Sequence, residues 1–386
     1  MYGSSPEYFL TEEQETLRST VAKLAREKIA PRASEADQKA EYPHDVFELL
    51  RRQGIIGMTM PTEYGGSGSS LLDLCIVVEE LAKACTAAAL MPVMTNIVGT
   101  MLIYGGSEAQ KKRYLPPLTR GEIRFSNAIT EPNAGSDVSA ITTRAERGDD
   151  GYVINGAKCW ITGAGLSDYY IVFAKLVDGG ERRGISAFIV PKETPGLGIG
   201  KTEKKMGIRG MPSAEVIFSN CFVPSDALLG KEGGGLKVVL NSMTRNRPAI
   251  GARGVGLAQG AFDVALAHCK TRKAFGGRLL DLQGLQFKLA DMAMGIEAAR
   301  QLVHRGAALI DKGIEHRALI GILAMGKCFA TDVAMRVSTE AVQLLGAYGY
   351  SQEFPLERLM RDAKHLQIVD GSNEIQRVLI ARALDS

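Results

Sequence analysis

Several kinds of chemistry lack the residues they need in this chain of 386 residues. The six cysteines (Cys75, Cys85, Cys159, Cys221, Cys269, Cys328) are scattered, and none forms a C-x-x-C pair. That spacing excludes a disulfide framework and a thiolate zinc site, and it suits reduced thiols in a reducing, cytoplasmic compartment. The five histidines (His44, His268, His304, His316, His365) show no H-x-x-x-H or H-E-x-x-H spacing, so no metal centre is expected. A single tryptophan and a formal charge of +3 leave neither a base-stacking surface nor a strong positive field, so nucleic acid is not an expected partner. A local basic patch could still hold an anionic cofactor. The first twenty residues lack a basic segment followed by an apolar core, so no secretory signal is expected. No uninterrupted apolar run looks long enough to span a bilayer. There is no G-x-x-x-x-G-K-[ST] loop for nucleotide phosphates and no G-x-S-x-G nucleophile elbow.

What is present is an ordinary globular composition, 45% hydrophobic and 23% charged, long enough for two or three packed units. Pattern divides the chain into residues 1–124, 125–234 and 235–386. The first zone is helical, with a capping box at Thr11 and Gln14. In the second, "GYVINGAKCWITG", "YYIVFAKL", "GISAFIVP" and "AEVIFSNCFVP" are strand-like runs punctuated by Gly and Pro. Asn155-Gly156 predicts a hairpin turn inside the first of these. No helices alternate with the strands, so a meandering barrel or sandwich is expected. Helical periodicity then returns. Leu285, Leu289, Met292, Ile296, Ala299 and Val303 form one stripe, and Val333, Val337, Ala341, Leu344 and Leu345 form another, as in a bundle core. The fold class expected is mostly α with a central β domain.

A few stretches carry sharper signals. "RGVGLAQG" (Arg253 to Gly260) resembles a dinucleotide fingerprint, but it follows no strand and sits in an Ala-rich helical pattern, which favours close helix packing. "ITEPNAGSD" (Ile129 to Asp137) is a loop whose backbone N–H groups could hold an anionic or polar ligand, or an ordinary solvent turn. Trp160 in "CWITG" reads as a core residue or as a ring stacked on a flat cofactor. In "TRKAFGG" the cations Arg272 and Lys273 can simply complement a helix end. Asp370-Gly371, in "HLQIVDGSNEIQRVLIAR", is by itself a turn signal.

Taken together, "PTEYGGSG", "ITEPNAGSDVSAITTRA", "INGAKCWITGAG", "TRKAFGGRLLDLQ", "AVQLLGAYGY" and "LMRDAKHLQIVDGSNEIQR" resemble the acyl-CoA dehydrogenase family in order and spacing, over essentially the whole chain. The resemblance implies an N-terminal helical domain, a β-barrel-like middle domain and a C-terminal four-helix bundle. It also implies non-covalent FAD, a homotetramer, oxidation of an acyl-CoA between Cα and Cβ, and electron-transferring flavoprotein as acceptor. By position, Thr130 and Thr162 would hydrogen-bond the flavin, with Ile161 and Trp160 packed against it. Ile129, Gly135 and Ser136 would line flavin and CoA, Ser136 lying near the pantetheine or phosphate portion. Arg272, Phe275, Gln283 and Gln343 would reach the FAD of a neighbouring subunit, Leu344 and Gly346 would also bind the cofactor, and Ser372 and Glu374 would touch FAD after the catalytic turn. Arg247, Val369 and Gly371 would lie at the acyl end. In the family a flavin ribityl hydroxyl and the base's own backbone N–H bind the thioester oxygen.

Two departures bear on the chemistry. Most members carry Glu at the position of Asp370, in Tyr-Glu-Gly, where this chain has Val369-Asp370-Gly371. The family's alternative base position falls on Asn246, which cannot serve. Asp370 is therefore the carboxylate expected to take the α-proton. The same turn resembles that of the alicyclic, cyclohexanecarboxyl-CoA type, which implies a cyclic or α-branched substrate. A non-redox lyase or desulfinase on the same scaffold, a short- or medium-chain dehydrogenase, and a flavin-binding subunit without catalysis remain alternatives.

Overall fold

The computed structural model describes residues 10–385; the start of the segment expected to carry no secretory signal lies outside them. Helix α1 (Glu12–Leu24) opens on the expected reciprocal cap. Thr11 Oγ1 accepts from the Gln14 N–H at 3.3 Å, and Gln14 Oε1 accepts from the Thr11 N–H at 3.1 Å. A π-helical turn joins α1 to α2 (Ala30–Lys39), and α3 (His44–Arg52), α4 (Leu71–Ala84), α5 (Thr86–Gly105) and α6 (Glu108–Thr119) follow.

Helix α5 corrects one expectation. It is long and apolar enough to cross a membrane by length and composition, but 83% of its apolar window is buried inside the protein. It packs against α4, α7 and β1, and a helix surrounded by protein needs no polar face.

The strands are β1 (Phe125–Ala128), β2 (Arg144–Arg147), β3 (Gly151–Thr162), β4 (Tyr169–Asp178), β5 (Glu181–Pro191), β6 (Leu197–Thr202), β7 (Ser213–Pro224) and β8 (Leu228–Leu229). They form one sheet in the order β6-β7-β3-β2-β4-β5-β8, with β1 also paired to β4. Antiparallel pairing dominates, but β1 and β2 both run parallel to β4, so the sheet is no simple meander. Alternation in β4 serves two cores. Tyr170, Val172, Ala174 and Leu176 face the sheet's own interior, while Ile171 and Phe173 join the helical core.

The hairpin expected at Asn155-Gly156 is absent. β3 runs unbroken from Gly151 to Thr162, and the pair marks a bulge against β7. Gly156 has φ +148°, and a Cβ there would lie 2.6 Å from Thr143 Oγ1, so the position requires glycine for a close approach instead of a reversal.

The last unit begins with α7 (Gly235–Thr271). The two-residue strands β9 (Lys273–Ala274) and β10 (Gly277–Arg278) then lead to α8 (Gln283–Asp311), α9 (Ile320–Leu345), α10 (Ala347–Tyr350), α11 (Leu356–Ile368) and α12 (Asn373–Leu384). Both predicted stripes lie in the core, Leu285 at its edge. "RGVGLAQG" lies within α7 and serves packing: Cβ atoms at Gly256 and Gly260 would lie 2.1 Å from Glu79 O and 2.5 Å from Lys83 O of α4.

Candidate active site

Between α11 and α12 the chain makes a turn whose backbone is held from several sides. Val369 is extended, Asp370 has φ +55° and Gly371 has φ +83°. Asp tolerates this left-handed region better than most side chains, and Gly accepts it freely. Lys327 Nζ, from α9, donates to the Gly371 carbonyl at 3.0 Å and to Asn373 Oδ1 at 2.9 Å. Asn373 Nδ2 in turn donates to Thr331 Oγ1 and Asp332 Oδ1. Gln376 Nε2 donates to the Gly371 carbonyl at 2.9 Å.

Against this, the carboxylate and the backbone N–H of Asp370 have no hydrogen-bond partner among the described residues. The carboxyl is partly open at the surface yet densely enclosed by protein. Burial raises it above the ordinary carboxylate range, while Lys327 and Arg253 pull it back. An unpaired acid of raised basicity on a fixed turn suits proton transfer.

Three buried cations lie on α7 and α9. Arg247, predicted for the acyl end, is buried on α7 with Nε and Nη1 unpartnered, and burial holds it down to about 10. Burial likewise lowers Lys327 to about 8. Arg253 is 0% exposed, and none of its three guanidinium nitrogens has a partner. Sequence reasoning passed over Lys327 and Arg253. The available signal was a lone cation in an otherwise apolar helical run, "AMGKCFA" and "IGARGVG".

The middle unit has an exposed rim of its own. β3 bulges a second time, between Lys158 and Ile161, and there Trp160 adopts φ +59° and stands 55% exposed. A bulky residue in this region is strained, and such strain clusters at functional positions. Of the two readings of Trp160, the core residue is excluded. The Ile129–Glu131 segment is tied beside the bulge. Cys159 N–H donates to the Thr130 carbonyl at 2.9 Å, and Lys158 Nζ donates to the Ile129 carbonyl at 3.0 Å and Glu131 Oε1 at 2.7 Å. Ser126 Oγ donates to the Thr162 carbonyl at 2.6 Å. Thr130 and Thr162, both half-buried, thus flank the exposed indole, with Ile161 and Ile129 buried beneath. Two hydroxyls and an open indole face fit the edge and plane of a flavin. Gly135 and Ser136 lie exposed on the following loop.

The remaining predicted residues fall elsewhere. Arg272 caps α7, its guanidinium 6.0 Å from the Tyr348 ring centre, and Phe275 is 93% exposed at φ +52°. Gln283 and Gln343 are exposed, Leu344 is buried, and Gly346 ends α9. No hydrogen bond, ion pair or ring contact among the described residues joins this group to the rim. Ser372 and Glu374 start α12 beside the Asp370 turn. A cavity of about 40 Å³, lined by residues including Met94, Thr95, Gly163 and Ser167, touches neither Asp370 nor Trp160.

A helical unit, a β unit and a helical bundle in that order, with an unpaired acid on a fixed turn, suit an oxidoreductase, and comparison with known proteins gives the family. Family models described as acyl-CoA dehydrogenase N-terminal, middle and C-terminal domains match residues 11–122, 126–221 and 233–384. The chain belongs to the acyl-CoA dehydrogenase family. A probable acyl-CoA dehydrogenase (FadE25) of Mycobacterium tuberculosis is 46% identical, over 97% of this chain and 96% of the relative. A cyclohexane-1-carbonyl-CoA dehydrogenase of Geobacter metallireducens is 41% identical, over 97% of this chain and 98% of the relative. Among solved structures, butyryl-CoA dehydrogenase from Megasphaera elsdenii superposes with a TM-score of 0.93 at 39% identity, covering 98% of this chain and 100% of that one.

Proposed function

We propose that the protein oxidises a cyclic or α-branched acyl-CoA, of the cyclohexanecarboxyl-CoA kind, to its α,β-unsaturated thioester, with Asp370 as the base. The observation that carries this is the Asp370 turn, whose backbone is clamped while its carboxylate and N–H stay free. The Cα–H bond breaks and its proton passes to a carboxylate oxygen of Asp370. The electron pair left behind forms the Cα=Cβ bond as the β-hydrogen departs with its own pair. Thr130, Trp160 and Thr162 would hold FAD, which would supply the acceptor for that hydride. The unpartnered Asp370 N–H would donate to the thioester oxygen as enolate-like charge builds there.

A base one carbon shorter than Glu withdraws by roughly 1.5 Å, a bond length. Val369 in place of a bulky Tyr adds to the room around Cα, which a ring carbon needs. Likeness to a cyclohexane-1-carbonyl-CoA dehydrogenase supports the ring, and likeness to a butyryl-CoA dehydrogenase makes a short straight chain the competing substrate. The exposed group around Arg272, Phe275, Gln283 and Gln343 supports a homotetramer in which a neighbouring copy completes each FAD site. Electron-transferring flavoprotein is the proposed electron acceptor, and six free, buried thiols support the cytoplasm as compartment. A panel of CoA thioesters tested by anaerobic bleaching of the flavin decides the substrate. Faster bleaching by butyryl-CoA than by any cyclic or branched thioester contradicts the ring.

A further inference from the structure

Helix α11 runs straight into the Asp370 turn, and it is tied to the β unit at one place. The Ile208 N–H donates to Asp362 Oδ1 at 2.6 Å, and Arg361 Nη1 donates to the Met206 carbonyl at 2.9 Å. Among the described residues, these are the hydrogen bonds that join α11 to the β unit. Both reach the loop between β6 and β7, residues 203–212. The other ties of α11 point elsewhere: Arg361 also grips Asp37 of α2 at 2.6 Å, and Gln367 reaches Asp332 of α9 at 2.7 Å.

The loop is held in close contact with the helix. A Cβ on Gly207 would lie 2.5 Å from the Arg361 carbonyl, so only glycine lets the two backbones meet. Ile208 adopts φ +51°, an unfavourable conformation for a β-branched side chain, and it is buried in the helical core. The loop also closes on itself. The Met211 N–H donates to the Ile208 carbonyl at 3.0 Å, and Lys205 Nζ donates to the Met211 carbonyl at 2.7 Å. Asp362 is 4% exposed, and burial pushes its carboxyl up to about 6 although the Ile208 N–H pulls it down. A left-handed isoleucine and an enclosed acid each cost stability, and strain of this kind clusters where function needs it.

The far end of the loop reaches the exposed indole. The Gly163 N–H donates to the Pro212 carbonyl at 2.8 Å, and Thr162 pairs with Ser213 where β7 begins. β7 pairs with β3 on both sides of the Trp160 bulge, Lys158 with Val216 and Ile161 with Ala214. At the other end, Asp362 lies under two helical turns before Ile368, where α11 ends and Val369 and Asp370 follow. One continuous set of contacts thus runs from Thr162 through Pro212, Ile208 and Asp362 to Asp370.

We infer that Asp362 is a positioning residue for proton abstraction: by holding the 203–212 loop, it sets the register between the base after α11 and the rim around Trp160. The inference rests on the proposed roles of Asp370 as base and of that rim as the flavin's seat. The reaction breaks a Cα–H and a Cβ–H bond of one thioester, the first towards the base and the second towards the flavin. Both partners must therefore stand at the right separation, and an error near 1 Å can lower the rate on the order of 10²-fold.

Amide hydrogen exchange read by mass spectrometry tests this without turnover. Asp362→Leu removes the acceptor, and Gly207→Ala pushes the loop off the helix while touching neither the turn nor the rim. In both, exchange should quicken in residues 203–212 and also in residues 369–376. Flavin bleaching per bound FAD should slow by about 10- to 10²-fold, with thioester affinity unchanged. Asp362→Asn, which keeps an oxygen for the Ile208 N–H, should restore most of both. Should Asp362→Leu fail to fold, Gly207→Ala carries the test alone. A purely structural role predicts lower thermal stability with wild-type bleaching per bound FAD and exchange changed only near the loop, and that result overturns the inference. A wild-type protein that oxidises no thioester contradicts the proposed function instead, while exchange at residues 369–376 still decides whether the loop steadies the turn.

Discussion

At the scale of single residues, the unusual feature is a base shorter than most relatives use. Asp370→Ala should lower substrate-dependent bleaching by about 10²- to 10⁴-fold, the usual contribution of a general base, with FAD still bound through Thr130, Trp160 and Thr162. Stopped-flow absorbance and the flavin-to-protein ratio check both halves. Asp370→Glu should slow oxidation of a cyclic thioester, since a misplacement near 1 Å can reduce rate on the order of 10²-fold. Asp370, Thr130 and Thr162 were singled out through the resemblance of whole motifs, since each alone reads as an ordinary turn or strand residue. Arg253 was not. Its neighbours are Gly and Ala, which say only that α7 packs closely, and its burial appears only once α7 and α11 are packed together. Trp160 was ambiguous for a related reason: a strand residue next to a Cys reads as core until a bulge turns it outward.

Among the elements, β3 does most to position the site, and the buried Glu131–Lys158 pair fastens the Thr130 segment to it. Burial alone would raise the Glu131 carboxyl, but hydrogen bonds from Lys158, Thr143 and Thr142 overcome it and hold it at about 2. An unfolded Glu takes up its proton near pH 4.3, roughly, so the carboxylate's contribution is present above that pH and is lost as pH falls towards about 2, while burial lowers Lys158 to about 8, so the ion pair fades again as pH rises through that value. Melting curves at about pH 6 and about pH 3 should therefore diverge less in Glu131→Gln than in wild type. Lys158→Met strands the buried carboxylate and should lower stability by about 3–5 kcal/mol in urea titration. The helices were legible from their period and from the Thr11 cap. The turn at Asn155-Gly156 was misjudged because a hairpin and a bulge both call for a glycine of unusual φ. What separates them is Thr143 lying against Gly156, a contact invisible along the chain.

For the whole molecule, the order helices, strands, helices follows from pattern, whereas the parallel pairing of β1 and β2 with β4 depends on contacts between distant segments. The apolar span of α5 was underestimated because Thr and Asn interrupt it. A single copy leaves Arg272, Phe275, Gln283 and Gln343 exposed and unconnected to the Trp160 rim, so light scattering should find a tetramer. Phe275→Asp should weaken both assembly and FAD retention; a stable monomer that keeps its FAD contradicts this arrangement. The most direct test of the central claim is anaerobic titration of the FAD-loaded protein with cyclohexanecarboxyl-CoA, followed by flavin absorbance in wild type and in Asp370→Asn. The account predicts rapid bleaching in wild type and none on the same timescale in Asp370→Asn, which should still bind the thioester. Bleaching of Asp370→Asn at the wild-type rate would contradict it.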